Sequence, residues 1–332
     1  MKTMFLEQPG RFTLTETAPP GAPGPGEVLV RVLTVGICGT DLHAFEGTQP
    51  FFSYPRILGH ELAVEVVATG DAVGGFQPGD LCAVNPYMTC GECAVCLRGR
   101  TNCCAKMCVI GVHSDGGMRD RLLLPAQQLY PCAPLRPQQV PLVETLAVGC
   151  HAVGRSGAQR GERAIVIGAG PIGLSVIEFL RLAGADIGVV EKLPERLAFA
   201  ARHAALQRYY PSHQEARQEE PSMLVFDCTG DRGSMEQSLN LLQQGGKLIF
   251  VGLVNDHVAL FDPDLHRREA TLLSSRNSVP AEHHQVLAAM ASGQIDVGAW
   301  PTEFASLVIM PERFPAWLHR EAGVVKAVVN WP

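Results

Sequence analysis

The chain has no run approaching the roughly eighteen consecutive apolar residues that a membrane-spanning helix requires, so no segment reads as crossing a bilayer. It also lacks a run of basic residues, and 27 Lys and Arg against 33 Asp and Glu leave a net charge of -6. That balance argues against nucleic acid as a partner, because phosphate backbones are met by clustered positive charge. The N-terminus, Met1-Lys2-Thr3-Met4-Phe5-Leu6-Glu7, lacks the apolar core of a secretory signal and is acidic within seven residues, so a cytoplasmic protein is expected. There are no internal repeats and no low-complexity segments. What is present is 332 residues, 46% of them hydrophobic, which is ordinary for a globular protein and long enough that two domains are the default.

Eleven cysteines would suit a secreted disulfide scaffold, but the length, the missing signal and the clustering point to metal instead. Cys90, Cys93 and Cys96 stand at three-residue intervals and Cys104 follows closely. Four thiolates this near in sequence close a tetrahedron around one zinc and leave no position for chemistry. Cys103 is the alternative fourth ligand, and the spacing from Cys96 favours Cys104. The scattered Cys82, Cys108, Cys132, Cys150 and Cys228 read as small buried hydrophobes.

The chain falls into three parts. Up to about residue 140 it reads as β-rich, with Glu27 to Val35 and Glu61 to Ala68 as strands and a tight turn at Phe76 to Asp80 leading into Leu81 to Val84. Short strands with Gly and Pro punctuation suggest a small barrel or sandwich. From about 141 to 279 the period changes. Apolar strands at Ala164 to Ile167, Ile187 to Val190, Met223 to Phe226 and Leu248 to Val251 alternate with helices at Pro171 to Ala183 and Pro194 to Leu206. This alternation indicates a doubly wound parallel sheet, giving an α/β protein. The stretch between Leu206 and Ser222 is polar and looks too short for a full strand–helix unit. The last part, 280–332, offers a helix near Ala281 to Met290 and a strand near Val324 to Val329, and is expected to pack back on the N-terminal domain.

Two further constellations carry chemistry. Gly168-Ala169-Gly170-Pro171-Ile172-Gly173 follows a strand and opens a helix, the context in which a glycine fingerprint binds a dinucleotide. Gly168 serves the tight turn, Gly170 lets the backbone approach the pyrophosphate at the helix N-terminus, and Gly173 lets the helix lie on the strand. Glu191 ends the next strand, where its carboxylate would accept from a ribose 2′-OH and repel a 2′-phosphate, favouring NAD over NADP. Cys38, the pair His60 and Glu61, and Glu144 form a mixed thiolate, imidazole and carboxylate set that suits zinc with a position left open.

Gly36 to His43, Gly59-His60-Glu61, the four-cysteine lobe, Gly111 to Gly117 and Gly168 to Gly173 occur in the order of the medium-chain zinc-dependent alcohol dehydrogenases, which the chain resembles nearly end to end. The resemblance implies a GroES-like catalytic domain (1–142 with 280–332) carrying two zinc sites, and a Rossmann NAD-binding domain (143–279). It implies that Cys38 and His60 bind the catalytic zinc. A glutamate at Glu144 is similar to the polyol dehydrogenase branch, in which Glu61 or Glu144 completes the shell directly or through water. It makes Thr40 and His43 a proton relay, with Glu61 beside them in the catalytic set, and Cys90, Cys93, Cys96 and Cys104 a structural zinc site. Gly111 to Gly117 and Ser274-Ser275-Arg276-Asn277 look like the branch that oxidises sugar acids such as L-galactonate or L-gulonate, with Arg276 and Asn277 on the substrate and the Arg276 guanidinium suited to a carboxylate. Arg119 reads as an exposed cation. A neutral polyol or threonine dehydrogenase is the neighbouring reading. A non-catalytic zinc and dinucleotide binding protein is the reading from another class. The resemblance also implies a homodimer or homotetramer, the dimer built on the strand at Lys247 to Val251 taken as a sheet edge.

Overall fold

The structure is a computed structural model that describes residues 1–50, 52–319 and 323–331. The chain divides into two compact units, Met1–Glu144 with Val279–Pro332, and Thr145–Ser278.

The first unit is built on a seven-stranded sheet. Its spatial order is Pro301–Ser306, Lys326–Asn330, Glu27–Gly36, Glu61–Thr69, Leu81–Val84 and Leu129–Pro131, with Arg121–Pro125 also paired to Glu27–Gly36. Glu27–Gly36 is paired along both edges, and Val28, Val30, Val32 and Val35 are fully buried. Their core takes in Leu58, Leu62 and Val64, together with Phe314 and Trp317 of the helix Met310–Leu318. The C-terminal segment thus joins the N-terminal unit: Val328 pairs with Gly36 and Val329 with Val35, antiparallel. The helix expected near Ala281 to Met290 spans Pro280–Ala291.

The second unit is a six-stranded sheet, all parallel, in the order Arg208–Tyr210, Asp186–Val190, Arg163–Ile167, Ser222–Asp227, Leu242–Phe250, Thr271–Ser274. In chain order that is 3-2-1-4-5-6, so strand direction of travel reverses beside Arg163–Ile167, where such sheets bind dinucleotides. The helix Pro171–Ala183 starts on Gly170 with proline in its first turn and stops at Gly184, whose φ of +75° closes it.

Two expectations need correcting, the edge strand and the end of the helix before Leu206. The strand carrying Lys247 to Phe250 is not an edge, because Thr271–Ser274 pairs along its outer side. That outer strand has only two apolar residues, too few for an apolar-run reading. The polar stretch after Leu206 holds a shortened unit, in keeping with its length: a three-residue strand, Arg208–Tyr210, and a single helical turn, His213–Ala216, capped by Ser212. The preceding helix, Pro194–His203, ends three residues before Leu206, and Ala205 at φ +49° turns the chain into that strand. Among the described residues, no helix is long and apolar enough to cross a membrane.

Candidate active site and metal centres

The sheet register of the first unit assembles one cluster. Gly36 and Glu61 are partners across the two central strands, so Cys38, just past the end of one, meets His60, just before the start of the other. The ligand atoms of Cys38, His60 and Glu61 all lie within 4.8 Å of one another. Gly36 is required for this approach: a Cβ there would stand 2.2 Å from Glu61 Oε2. Asp41, in the first turn of the helix Gly39–Glu46, accepts the backbone N–H of Cys38 at 2.9 Å through Oδ2. Its Oδ1 faces His60 Nδ1 at 3.7 Å, and among the described residues neither of those two atoms has a hydrogen-bond partner. A carboxylate on one ring nitrogen fixes which nitrogen is left for a metal.

The Lys326 ammonium donates to Glu61 Oε1 at 2.6 Å, lies 2.5 Å from Oε2 and donates to the Ile37 carbonyl at 3.1 Å. Glu144, in the first turn of the helix Leu142–Ser156, is buried in the same unit but is not a member of the 4.8 Å cluster. Its Oε1 accepts the Tyr87 hydroxyl instead. Asp41, Glu61 and Glu144 therefore bring three buried carboxylates to one thiol and one imidazole, against a single buried ammonium. Such an excess of buried acid calls for a cation.

The titration directions say the same. Burial draws His60 down, but Asp41 and Cys38 outweigh it and hold it well above the ordinary histidine range. Burial raises the Glu144 carboxyl, with His60 opposing. Burial works against the Lys326 charge, and Glu61 and Cys38 more than restore it. With a metal on the cluster, that positive charge replaces the proton on His60. The donor set fits zinc.

Thr40 and His43 lie three residues apart on one helix, hence on one face. Thr40 is half-buried and His43 exposed, with its Nδ1 3.3 Å from Thr48 Oγ1 and 3.5 Å from Glu46 Oε2. The hydroxyl is thus the more covered of the two groups and the imidazole the more exposed. Arg119 is not simply exposed: it is half-buried, and burial pushes its guanidinium below its usual value.

Cys90, Cys93, Cys96 and Cys104 form a second cluster with sulfurs within 4.8 Å of one another. Backbone N–H groups of Ala105 and Cys96 lower the Cys93 thiol to about 6, while Cys90 and Lys106 N–H groups donate to Cys104 Sγ at 3.4 and 3.3 Å. Amide donors aimed at sulfur favour thiolate, the form a metal binds. Cys103 is outside this cluster, its Sγ 4.0 Å from the Arg100 guanidinium.

In the second unit, Gly168 has φ +91° and a Cβ on Gly173 would lie 1.8 Å from the Gly168 carbonyl oxygen, so both glycines are sterically required. Glu191 is buried, its Oε2 accepting from Ala169 N–H at 2.8 Å and its Oε1 from Leu193 N–H at 2.9 Å. Pro171 and Ile172 open the helix as expected. Arg196 Nη1 comes within 3.9 Å of where a Gly170 side chain would begin. Arg276 is exposed and Asn277, at φ +53°, half-buried, both just after the last parallel strand.

Sequence reasoning missed Asp41, Tyr87, Arg196 and Lys326. Only Lys326 left a signal, a lone charge inside the apolar run Val324 to Val329.

Family models for the alcohol dehydrogenase GroES-like domain and for zinc-binding dehydrogenases match residues 24–134 and 171–292. The chain is 35% identical to L-galactonate-5-dehydrogenase of Escherichia coli, over 100% of this chain and 99% of that protein. It is 32% identical to sorbitol dehydrogenase of Bacillus subtilis, over 68% of each. A zinc-binding dehydrogenase from Sinorhizobium meliloti, solved with NADP bound, superposes with a TM-score of 0.90 at 29% identity, covering 99% of this chain and 98% of that one.

Proposed function

Because the chain belongs to the zinc-dependent medium-chain alcohol dehydrogenase family, we propose that it oxidises a secondary alcohol of a sugar acid, a hexonate such as L-galactonate or L-gulonate, with NAD as hydride acceptor. The observation that carries the substrate class is full-length identity of 35% to a dehydrogenase of L-galactonate. The buried Cys38, His60 and Glu61 cluster supports the chemistry.

When bound, zinc supplies the Lewis acid that lowers the substrate hydroxyl's pKa, and NAD supplies the hydride acceptor. The residues of the chain do the rest. Cys38, His60 and Glu61 hold the metal, with Asp41 orienting the His60 ring and Lys326 holding the Glu61 carboxylate. Thr40 accepts the substrate proton at its hydroxyl while passing on its own, and His43, on the same helix and exposed, delivers a proton to solvent. Cys90, Cys93, Cys96 and Cys104 hold a second, structural zinc.

Gly168, Gly170 and Gly173, with the helix that Pro171 and Ile172 begin, seat the pyrophosphate. Glu191 lies beside the first glycine turn through its bond to Ala169, where a carboxylate disfavours a 2′-phosphate. This supports NAD even though the Sinorhizobium neighbour was solved with NADP. Arg276 is assigned to the substrate carboxylate and Asn277 to a neighbouring hydroxyl.

The test is NAD reduction by the zinc-loaded protein with matched hexonates and neutral polyols. Faster turnover of a hexonate is expected. Faster turnover of sorbitol would move the enzyme to the neutral-polyol reading that the Bacillus relative favours. No turnover of any secondary alcohol would leave a non-catalytic binding protein.

A further inference from the structure

We propose that Tyr87 is a positioning residue of the metal site. Its hydroxyl holds Glu144 outside the Cys38, His60 and Glu61 set and so keeps the fourth coordination position for substrate. This rests on the reading of those three residues as the ligands.

Glu144 is a ready zinc ligand by chemistry, a carboxylate buried in the same unit as His60, Glu61 and Lys326. A divalent cation at the cluster attracts it strongly, because few mobile charges intervene in a buried site. If it bound, four protein ligands would close the tetrahedron, and a closed zinc site is structural, not catalytic. Among the described residues, its carboxylate accepts one hydrogen bond, from Tyr87. That bond is the restraint.

Tyr87 is itself fixed from several directions. Its backbone N–H donates to Asn85 Oδ1 at 3.0 Å, and its carbonyl accepts from Gln128 Nε2 at 3.1 Å. Asn85 and Gln128 are both buried polar side chains. The ring packs with Val109 and Val112, and the short strand Tyr87–Met88 pairs with Cys108–Val109. A tyrosine so held cannot follow Glu144 inward, and its buried hydroxyl donates to the Glu144 carboxylate. The restraint therefore has a rigid anchor, as supporting groups of a metal site require.

The experiment uses the holoprotein with cobalt(II) exchanged into the Cys38 site and zinc left in the four-cysteine lobe. Visible absorption then reports the cobalt shell without any substrate. Tyr87→Phe is expected to change the band energies and intensities as Glu144 enters, to abolish the spectral response to an added hexonate, and to lower kcat about tenfold. Tyr87→Phe with Glu144→Gln is expected to restore the original spectrum and most of the turnover, since an amide is a poor ligand. Glu144→Gln alone is expected to leave the spectrum unchanged. A Tyr87→Phe spectrum identical to that of the unsubstituted protein overturns the proposal. So does a changed spectrum in Glu144→Gln alone, which would make Glu144 a resident ligand. The second arm stands even if Tyr87→Phe does not fold. Lack of hexonate turnover in the unsubstituted protein would defeat the substrate assignment and leave the spectral comparison intact.

Discussion

A lysine that is 2% exposed, paired with a carboxylate that is 1% exposed, is costly to assemble and costlier to break. Lys326 therefore matters most through what its loss leaves behind. Lys326→Met strands Glu61 as a buried charge with no ammonium beside it. The expected result is a loss of about 3–5 kcal/mol in the metal-free protein, read by denaturant unfolding after chelation. Lys326→Arg, which keeps the charge, should recover part of it. With zinc bound the loss should shrink, because the metal then neutralises Glu61. A loss of equal size with and without zinc would mean that Lys326 contributes packing and not charge. Arg276 makes the opposite kind of prediction, one of function without stability. It is exposed, so Arg276→Ala should leave the melting temperature unchanged. KM for a hexonate should rise at least tenfold more than KM for a neutral polyol, since a charge-assisted bidentate contact is worth more than a neutral one. Equal changes in both KM values would remove the carboxylate clamp from the mechanism.

The helix Pro280–Ala291 shows how an element is tied down by a titratable group. His283 is fully buried on it, stacked on Tyr130 at 5.0 Å, with His284 against the same tyrosine ring. Burial lowers His283 to about 4. The folded state therefore binds this proton later than the unfolded chain, whose histidine titrates near 6.5. Stability from the neutral ring is complete above the unfolded pKa and is lost as pH falls from there toward 4. Between pH 7.5 and pH 5 the loss from this group is about 2 kcal/mol. Urea unfolding at the two pH values should show it, and His283→Phe should flatten that part of the profile. The same scale shows what local sequence reveals. Pro171–Ala183 was legible at both ends, because a proline opens it and Gly184 closes it. Thr271–Ser274 was not, because an exposed strand with two leucines has neither an apolar run nor a clean alternation. Its omission turned an interior strand into an apparent edge.

At the scale of the whole molecule, the candidate site is assembled from distant pieces of sequence. Cys38, His60 and Glu61 were legible because each sits in a short motif. Lys326 was not read as their neighbour, because 265 residues separate it from Glu61 and nothing local announces the pairing. Only the sheet order, which seats Lys326–Asn330 between Pro301–Ser306 and Glu27–Gly36, brings it in. A chain truncated after Gly323 thus loses an interior strand of the first unit and the Glu61 partner together. The second unit has a separate core, in which Ile165, Ile167, Val225 and Leu248 pack with Leu239 and Leu241, and it carries the glycine turn and Glu191. Domains with their own cores fold as separate units. The truncated protein should therefore bind NADH with nearly the full-length dissociation constant while failing to retain metal at the Cys38 site, measured by fluorescence titration and metal analysis of the same sample. Loss of NADH binding along with the metal would show that the two units fold as one cooperative body and that the C-terminal strand supports both.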